Sequence, residues 1–183
     1  MSRKRRTKLR ILECVAKTEG KPEGELLSKL MRILEIRSNL KRIYGKESLL
    51  KELENAEEPY IHISAHGDYS HRIGTYIKTP RGKVSVKDIE ECDIQTDLVV
   101  LTACKVGRAD MARAFWDAEC RYFIAPLHDL YWEDSAVFSV MFYRRLLGEG
   151  KTPWIAFKSG ITFPNIEGCF SFYEKGEKAF LEE

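Results

Sequence analysis

Hydrophobic positions along the chain alternate between short continuous runs and helical stripes. The runs Leu9–Ala16, Tyr60–Ala65, Leu98–Ala103, Tyr122–Pro126 and Gly168–Tyr173 predict buried strands. Arg37–Tyr44 reads ambiguously, with a short edge strand as one reading. Leu27, Leu30, Met31 and Leu34 recur at i, i+3, i+4 and i+7, which predicts a helix over 24–34. Leu49, Leu50 and Leu53 mark a shorter helix over 48–55, and Met111, Ala114, Phe115 and Ala118 mark one over 108–118. The segment 133–147 is apolar on most sides and predicts a buried helix, with Asp134 in its first turn and Gly148 at its C-cap. Thr152–Lys158 adds a further helical turn or two.

Turn residues divide these elements. Gly20 and Pro22 mark a loop over 17–22, and Thr79-Pro80-Arg81-Gly82 the turn of a hairpin between 72–77 and 83–85. A short helix over 86–92 follows. Near-continuous apolar strands alternating with helices predict an α/β fold with a mainly parallel sheet and helices on both faces.

Composition narrows the class. A chain of 183 residues is read as a basic tail, residues 1–8, followed by one domain over 9–183. No apolar run approaches the ~20 residues of a membrane helix, and no apolar segment follows the N-terminal basic residues as a secretory signal requires. The five cysteines, Cys14, Cys92, Cys104, Cys120 and Cys169, form no C-x-x-C pair and suggest a reduced, cytoplasmic protein. The net charge of +2 hides an asymmetry: residues 1–10 carry six basic residues and no acidic one, so the rest is mildly acidic. Such a tip can touch nucleic acid or anionic lipid. The plainer reading is a solvated terminus, because no aromatic and basic residues interleave downstream; nucleic acid is not the expected partner.

The candidate chemistry lies at two strand ends. Tyr60–Ala65 runs into His66-Gly67-Asp68, and Leu98–Ala103 into Cys104-Lys105-Val106-Gly107. Function gathers at the carboxyl ends of strands in open α/β sheets. If the two strands are neighbours, ~4.8 Å apart, an imidazole and a thiol flank one substrate bond. A helix beginning within about four residues of Cys104 would favour its thiolate. Gly67 would let a peptide carbonyl approach, its N–H serving with that of Cys104 as oxyanion donors. Cys104 taken alone also fits a small buried hydrophobe. His62 and His66 in one strand would stand ~13 Å apart, too far to share a metal ion, so neither metal nor cofactor is expected. His71 reads as solvated. His128, Asp129, Glu133 and Asp134 open at the same sheet edge, where they could shape a pocket or cap the helix.

These residues carry a resemblance. His62-Ile63-Ser64-Ala65-His66-Gly67 followed by Leu98–Gly107 resembles the CHAT-domain proteins, caspase-like cysteine proteases of bacteria. The likeness continues through Ala112–Phe115, Cys120–Leu127, Asp134–Ala136, Phe142–Leu147 and Gly168–Tyr173, and covers residues 9–59 in pattern only. It implies a caspase-like three-layer sandwich with a six-stranded, mainly parallel sheet. It also implies an endopeptidase in which Cys104 forms a thioester and His66 is the general acid/base, with no third, orienting residue evident.

The chain departs from the family at Glu119-Cys120 and Pro126–Asp129, which alters the pocket. Little sequence precedes the first strand, so a bare catalytic domain is expected. Cleavage between two subunits is not, because the segment after the cysteine-bearing strand is short. Thr102, two residues before Cys104, is not an acid, which removes one route to a preference for Arg or Lys; Asp129 or Asp134 could restore it. Asp68, Thr102, His128, Asp129 and Asp134 are the substrate-binding candidates.

The expected partner is a protein substrate, with an activating protein as a second candidate. Analogy with relatives beside bacterial defence genes points to a gasdermin-like pore former. The alternative is a catalytically idle caspase-like adaptor or sensor.

Overall fold

The structure is a computed structural model that describes residues 8–19 and 23–176. The basic residues Arg3–Arg6 and the turn residues Gly20 and Pro22 lie outside the described residues. Among the described residues, nine strands and six helices follow in order: β1 (Leu9–Glu13), α1 (Glu23–Ile33), β2 (Ser38–Arg42), α2 (Lys46–Glu54), β3 (Tyr60–Ser64), β4 (His66–Ser70), β5 (Gly74–Thr79), β6 (Gly82–Ser85), α3 (Val86–Glu90), β7 (Leu98–Thr102), α4 (Ala109–Asp117), β8 (Tyr122–Pro126), α5 (Trp132–Tyr143), α6 (Pro153–Gly160) and β9 (Phe170–Glu174). A short 3₁₀ turn covers Lys17–Glu19, and α5 widens into a π-helical turn over Arg144–Gly148. None of the described helices is long and apolar enough to cross a membrane.

The central sheet has six strands in the order β2-β1-β3-β7-β8-β9. All its neighbours are parallel except β8 and β9. Successive side chains of a strand point to opposite faces, and the apolar runs fill both. Leu12, Ile61, Ile63, Val99 and Leu101 pack with Leu49 and Leu53 of α2, Ile89 of α3, and Met111 and Phe115 of α4. Leu9, Ile11, Leu98 and Val100 pack on the other face with Leu27 and Met31 of α1, Phe138 and Phe142 of α5, and Phe157 of α6. The result is a three-layer sandwich, so the α/β reading with helices on both faces holds.

The segment at Arg37–Tyr44 takes its edge-strand reading, as the parallel strand β2. Two other expectations differ from the structure. The first strand ends at Glu13; the Cys14 N–H still donates to the Ser64 carbonyl at 2.8 Å, and a short 3₁₀ turn follows at Lys17–Glu19. His66 does not continue the strand that holds His62. The chain leaves the main sheet at Ala65, and His66 opens β4, which pairs antiparallel with β5 from His66–Lys78 to Ser70–Gly74. The expected hairpin is therefore a three-stranded sheet, β4-β5-β6. His62 and His66 belong to different sheets and do not share a strand face.

Candidate active site

β3 and β7 are adjacent and parallel, in register from Tyr60–Leu98 to Ser64–Thr102. Both therefore deliver their following residues at one level of the sheet edge. Ala65-His66-Gly67 leaves on one side and Ala103-Cys104 on the other.

Two glycines let these turns close on their surroundings. A Cβ on Gly67 would lie 2.4 Å from Val106 Cγ1 and 2.7 Å from the Cys104 carbonyl oxygen. The glycine that follows His66 is thus pressed against the loop that follows Cys104. A Cβ on Gly107 would lie 2.3 Å from the Ala125 carbonyl oxygen and 2.5 Å from Ser171 Oγ. The Gly107 N–H donates to the Pro126 carbonyl at 2.7 Å, and its own carbonyl accepts from Ser171 Oγ at 2.8 Å and the Tyr173 hydroxyl at 3.0 Å. The loop carrying Cys104 is in this way clamped to β8 and β9. Between them Lys105 adopts φ +60°, a left-handed conformation that costs a non-glycine residue about 1–2 kcal/mol. Its N–H donates to the His128 carbonyl at 3.3 Å.

Cys104 is partly buried, and its Sγ accepts a hydrogen bond from the Leu130 backbone N–H at 3.4 Å. This donor comes from the β8–α5 connection. The helix expected after Cys104 is also present: α4 begins at Ala109, with Arg108 as its N-cap. Cys14, Cys92, Cys120 and Cys169 have a different character. Burial raises all four thiols above the ordinary range, Cys92 to about 11 and Cys120 to about 12.

His66 is half-exposed, and its Nε2 meets Glu19 Oε2 at 2.5 Å. Sequence reasoning found no third group. Glu19 lies 47 residues before His66 in a short polar turn, with no pattern to single it out. His66 and Cys104 line the same small cavity but are not hydrogen-bonded to each other. Hydrogen bonds of catalytic groups are often long until substrate is bound.

Behind this pair lies a buried polar cluster. Glu23, the first residue of α1, is 2 % exposed. It accepts from Thr102 Oγ1 at 2.7 Å, Ser139 Oγ at 2.8 Å and Ser135 Oγ at 3.3 Å. Glu13 at the end of β1 fixes its position by accepting the Gly24 N–H at 2.6 Å. Burial raises the Glu23 carboxyl to about 7, against the hydrogen bonds from Thr102 and Ser139, and the neighbouring Glu13 charge adds to the rise. Burial likewise lowers His62 to about 3, so that its ring is neutral. His62 Nδ1 lies 3.2 Å from the Tyr143 hydroxyl and Nε2 3.4 Å from Thr102 Oγ1. No local pattern marks Glu23, since an acid at a helix start is ordinarily there for the helix dipole.

The cavity occupies about 90 Å³ and is lined by Val15, Ala65, Pro126, Leu130 and Trp132, with Glu23, Ser64, Thr102 and Ser135 as its polar part. Of the substrate-binding candidates, Thr102 lines it; Asp68, His128, Asp129 and Asp134 do not. Asp129 pairs with Lys105 Nζ at 2.8 Å. Asp68 is 3.3 Å from Lys78 Nζ and 4.0 Å from Lys105 Nζ, and the Tyr69 N–H and Lys78 hold its carboxyl below the usual range. Asp134 stands in the first turn of α5 near Cys169. A groove of about 1060 Å³ opens at the opposite sheet edge, beside Lys8, Arg37, Pro59 and Asp97, away from both Cys104 and His66.

Neither protein-family profiles nor curated protein sequences match the chain. Solved structures do. The Saccharomyces cerevisiae separase–securin complex matches at 15% identity and TM-score 0.54, covering 83% of this chain and 10% of that one. A second structure of the complex matches at 15% identity and TM-score 0.52, covering 76% and 9%. A pyridoxal kinase from Staphylococcus aureus in complex with AMP-PCP reaches only 0.39 at 10% identity, covering 85% of each chain, and carries no argument. The chain has a caspase-like fold. It spans about a tenth of the separase chains it matches.

Proposed function

We propose that the chain is a caspase-like cysteine endopeptidase with Cys104 as nucleophile and His66 as general acid/base. The observation that carries this reading is their place around one cavity, at the carboxyl ends of adjacent parallel strands in a caspase-like fold. Cys104 Sγ attacks the scissile carbonyl, and the N–H groups of Gly67 and Cys104 receive the developing oxyanion. His66 takes the proton of the Cys104 thiol and passes it to the leaving amine as the C–N bond breaks and the thioester forms. It then takes a proton from the water that hydrolyses the thioester and returns the thiol. Glu19 on Nε2 orients the ring. Resemblance to CHAT-domain proteases of bacteria supports the same assignment, and with it a cytoplasmic defence role in which a partner such as a gasdermin-like pore former is cut. Separase was crystallised with securin, which suggests that a second protein engages this chain too, as substrate or regulator.

The test expresses the parent, Cys104→Ala and His66→Ala proteins with candidate partners and profiles new N-termini by mass spectrometry. Cleavage by the parent alone is the expected result. Equal cleavage by both variants overturns the dyad. Partner binding without cleavage by any of the three favours an idle adaptor.

A further inference from the structure

The cavity behind Cys104 joins two features that do not ordinarily occur together. Its walls are apolar, with Val15, Ala65, Pro126, Leu130 and Trp132. Its polar part holds Glu23, a carboxylate with three hydroxyl donors and no cationic partner. No arginine or lysine side chain pairs with Glu23 among the described residues; the nearest ring nitrogen, His62 Nε2 at 3.7 Å, belongs to a neutral imidazole. The carboxylate of Glu13 lies near it as well. A buried carboxylate is normally paired, so this site lacks a positive charge. We infer that Glu23 determines the specificity of the cavity and selects a lysine or arginine side chain on the residue whose carbonyl Cys104 attacks. This rests on the protease reading above.

The dimensions and chemistry agree. A space of about 10–15 Å³ on this measure admits one water, so 90 Å³ takes on the order of six to nine non-hydrogen atoms, about the length of a lysine or arginine side chain. The methylene stem would lie along Ala65, Pro126, Leu130 and Trp132, as amphipathic side chains do on apolar surface. Its N–H groups would meet Glu23, whose hydroxyl neighbours Thr102, Ser135 and Ser139 can turn to donate or accept. An acidic side chain would meet Glu23 as a like charge. The acid that Thr102 does not supply from β7 thus comes from the start of α1, and Thr102 holds it in place at 2.7 Å.

The test uses peptidyl acyloxymethyl ketones that differ only in the side chain beside the reactive carbonyl: Lys, Arg, Gln, Leu or Asp. Alkylation rates at Cys104 are read by peptide mass mapping. In the parent, the Lys or Arg probe is expected to react at least about 100-fold faster than the Leu probe, the scale of a pocket with one buried polar contact. In Glu23→Gln that ratio is expected to fall to near one. Glu23→Asp withdraws the charge by one methylene and is expected to move the preference from Lys toward Arg. Circular dichroism checks that each variant is folded, and the parent ratio decides alone if neither is. Alkylation of Cys104 without preference for Lys or Arg overturns the inference and leaves the protease reading intact. So does an unchanged preference in folded Glu23→Gln. Absence of any adduct on Cys104 overturns the protease reading, and the inference falls with it.

Discussion

Gly67 and Cys104 are in backbone contact: a Cβ on Gly67 would stand 2.7 Å from the Cys104 carbonyl oxygen. The turn after His66 and the turn after Cys104 therefore set each other's position, and glycine is required for the close approach rather than for an unusual φ. In Gly67→Ala the added carbon must push Val106 and the Cys104 carbonyl away. Thermal or urea unfolding is expected to show a loss of about 1–3 kcal/mol, the usual cost of overpacking. Alkylation of Cys104 should slow more than the lost stability accounts for, because the displaced atoms belong to the nucleophile's own loop.

Gly107→Ala is expected to be worse. The obstructing atoms there include the Ala125 carbonyl oxygen at 2.3 Å and the Pro126 carbonyl carbon at 2.8 Å. Backbone of a central strand cannot turn aside as a side chain can. A loss of about 3 kcal/mol or more, at the high end of single substitutions, should appear in urea unfolding.

The two buried ionisable groups behind the site pull stability in opposite directions with pH. His62 is held near 3, while an unfolded histidine protonates near ~6.5. The unfolded chain binds more protons below that value, so His62 makes stability fall as pH drops from ~6.5 toward 3. Glu23, raised to about 7, binds more protons folded than unfolded above ~4.3. Its contribution is therefore lost as pH rises from there through 7. Each slope has a ceiling of about 1.4 kcal/mol per pH unit. Urea unfolding at pH 5, 6, 7 and 8 checks both. Relative to the parent, His62→Gln should gain as pH falls, and Glu23→Gln should gain as pH rises.

Arg10 ties β1 to α2 and to the segment before β3. Its Nε donates to Glu58 at 2.8 Å and one terminal nitrogen to Glu52 at 2.7 Å, with Arg10 and Glu58 both buried. Arg10→Ala would leave Glu58 buried without a partner and is expected to cost about 3–5 kcal/mol in urea unfolding. The double variant Arg10→Met, Glu58→Leu should recover most of that loss, because replacing a buried pair by apolar groups is close to neutral.

How much of this the sequence carried follows from what each interaction depends on. β3, β7 and β8 were legible because strands buried on both faces read as continuous apolar runs, and the positions of His66 and Cys104 followed from them. β4 was not legible, since His66–Ser70 is polar and its pairing with β5 replaces a continuation of β3 that the residues also allow. Glu19 and Glu23 were hidden for another reason. Glu23 reaches Thr102 across 79 residues and Ser139 across 116, and no local period records a contact of that range. Asp129 and Asp134 looked better placed for a pocket by sequence proximity. In the fold, Asp129 is turned to Lys105 and Asp134 lies at the start of α5, outside the cavity lining.

The central claim, that Cys104 is a nucleophile activated by His66, is tested most directly by limited alkylation with iodoacetamide at pH 7, with each of the five thiols quantified by peptide mapping. Cys104 is expected to react first, about tenfold or more ahead of Cys14, Cys92, Cys120 and Cys169, whose thiols burial raises, and that lead is expected to shrink in His66→Ala. Alkylation spread evenly over the five thiols, or an undiminished lead for Cys104 in His66→Ala, would contradict it.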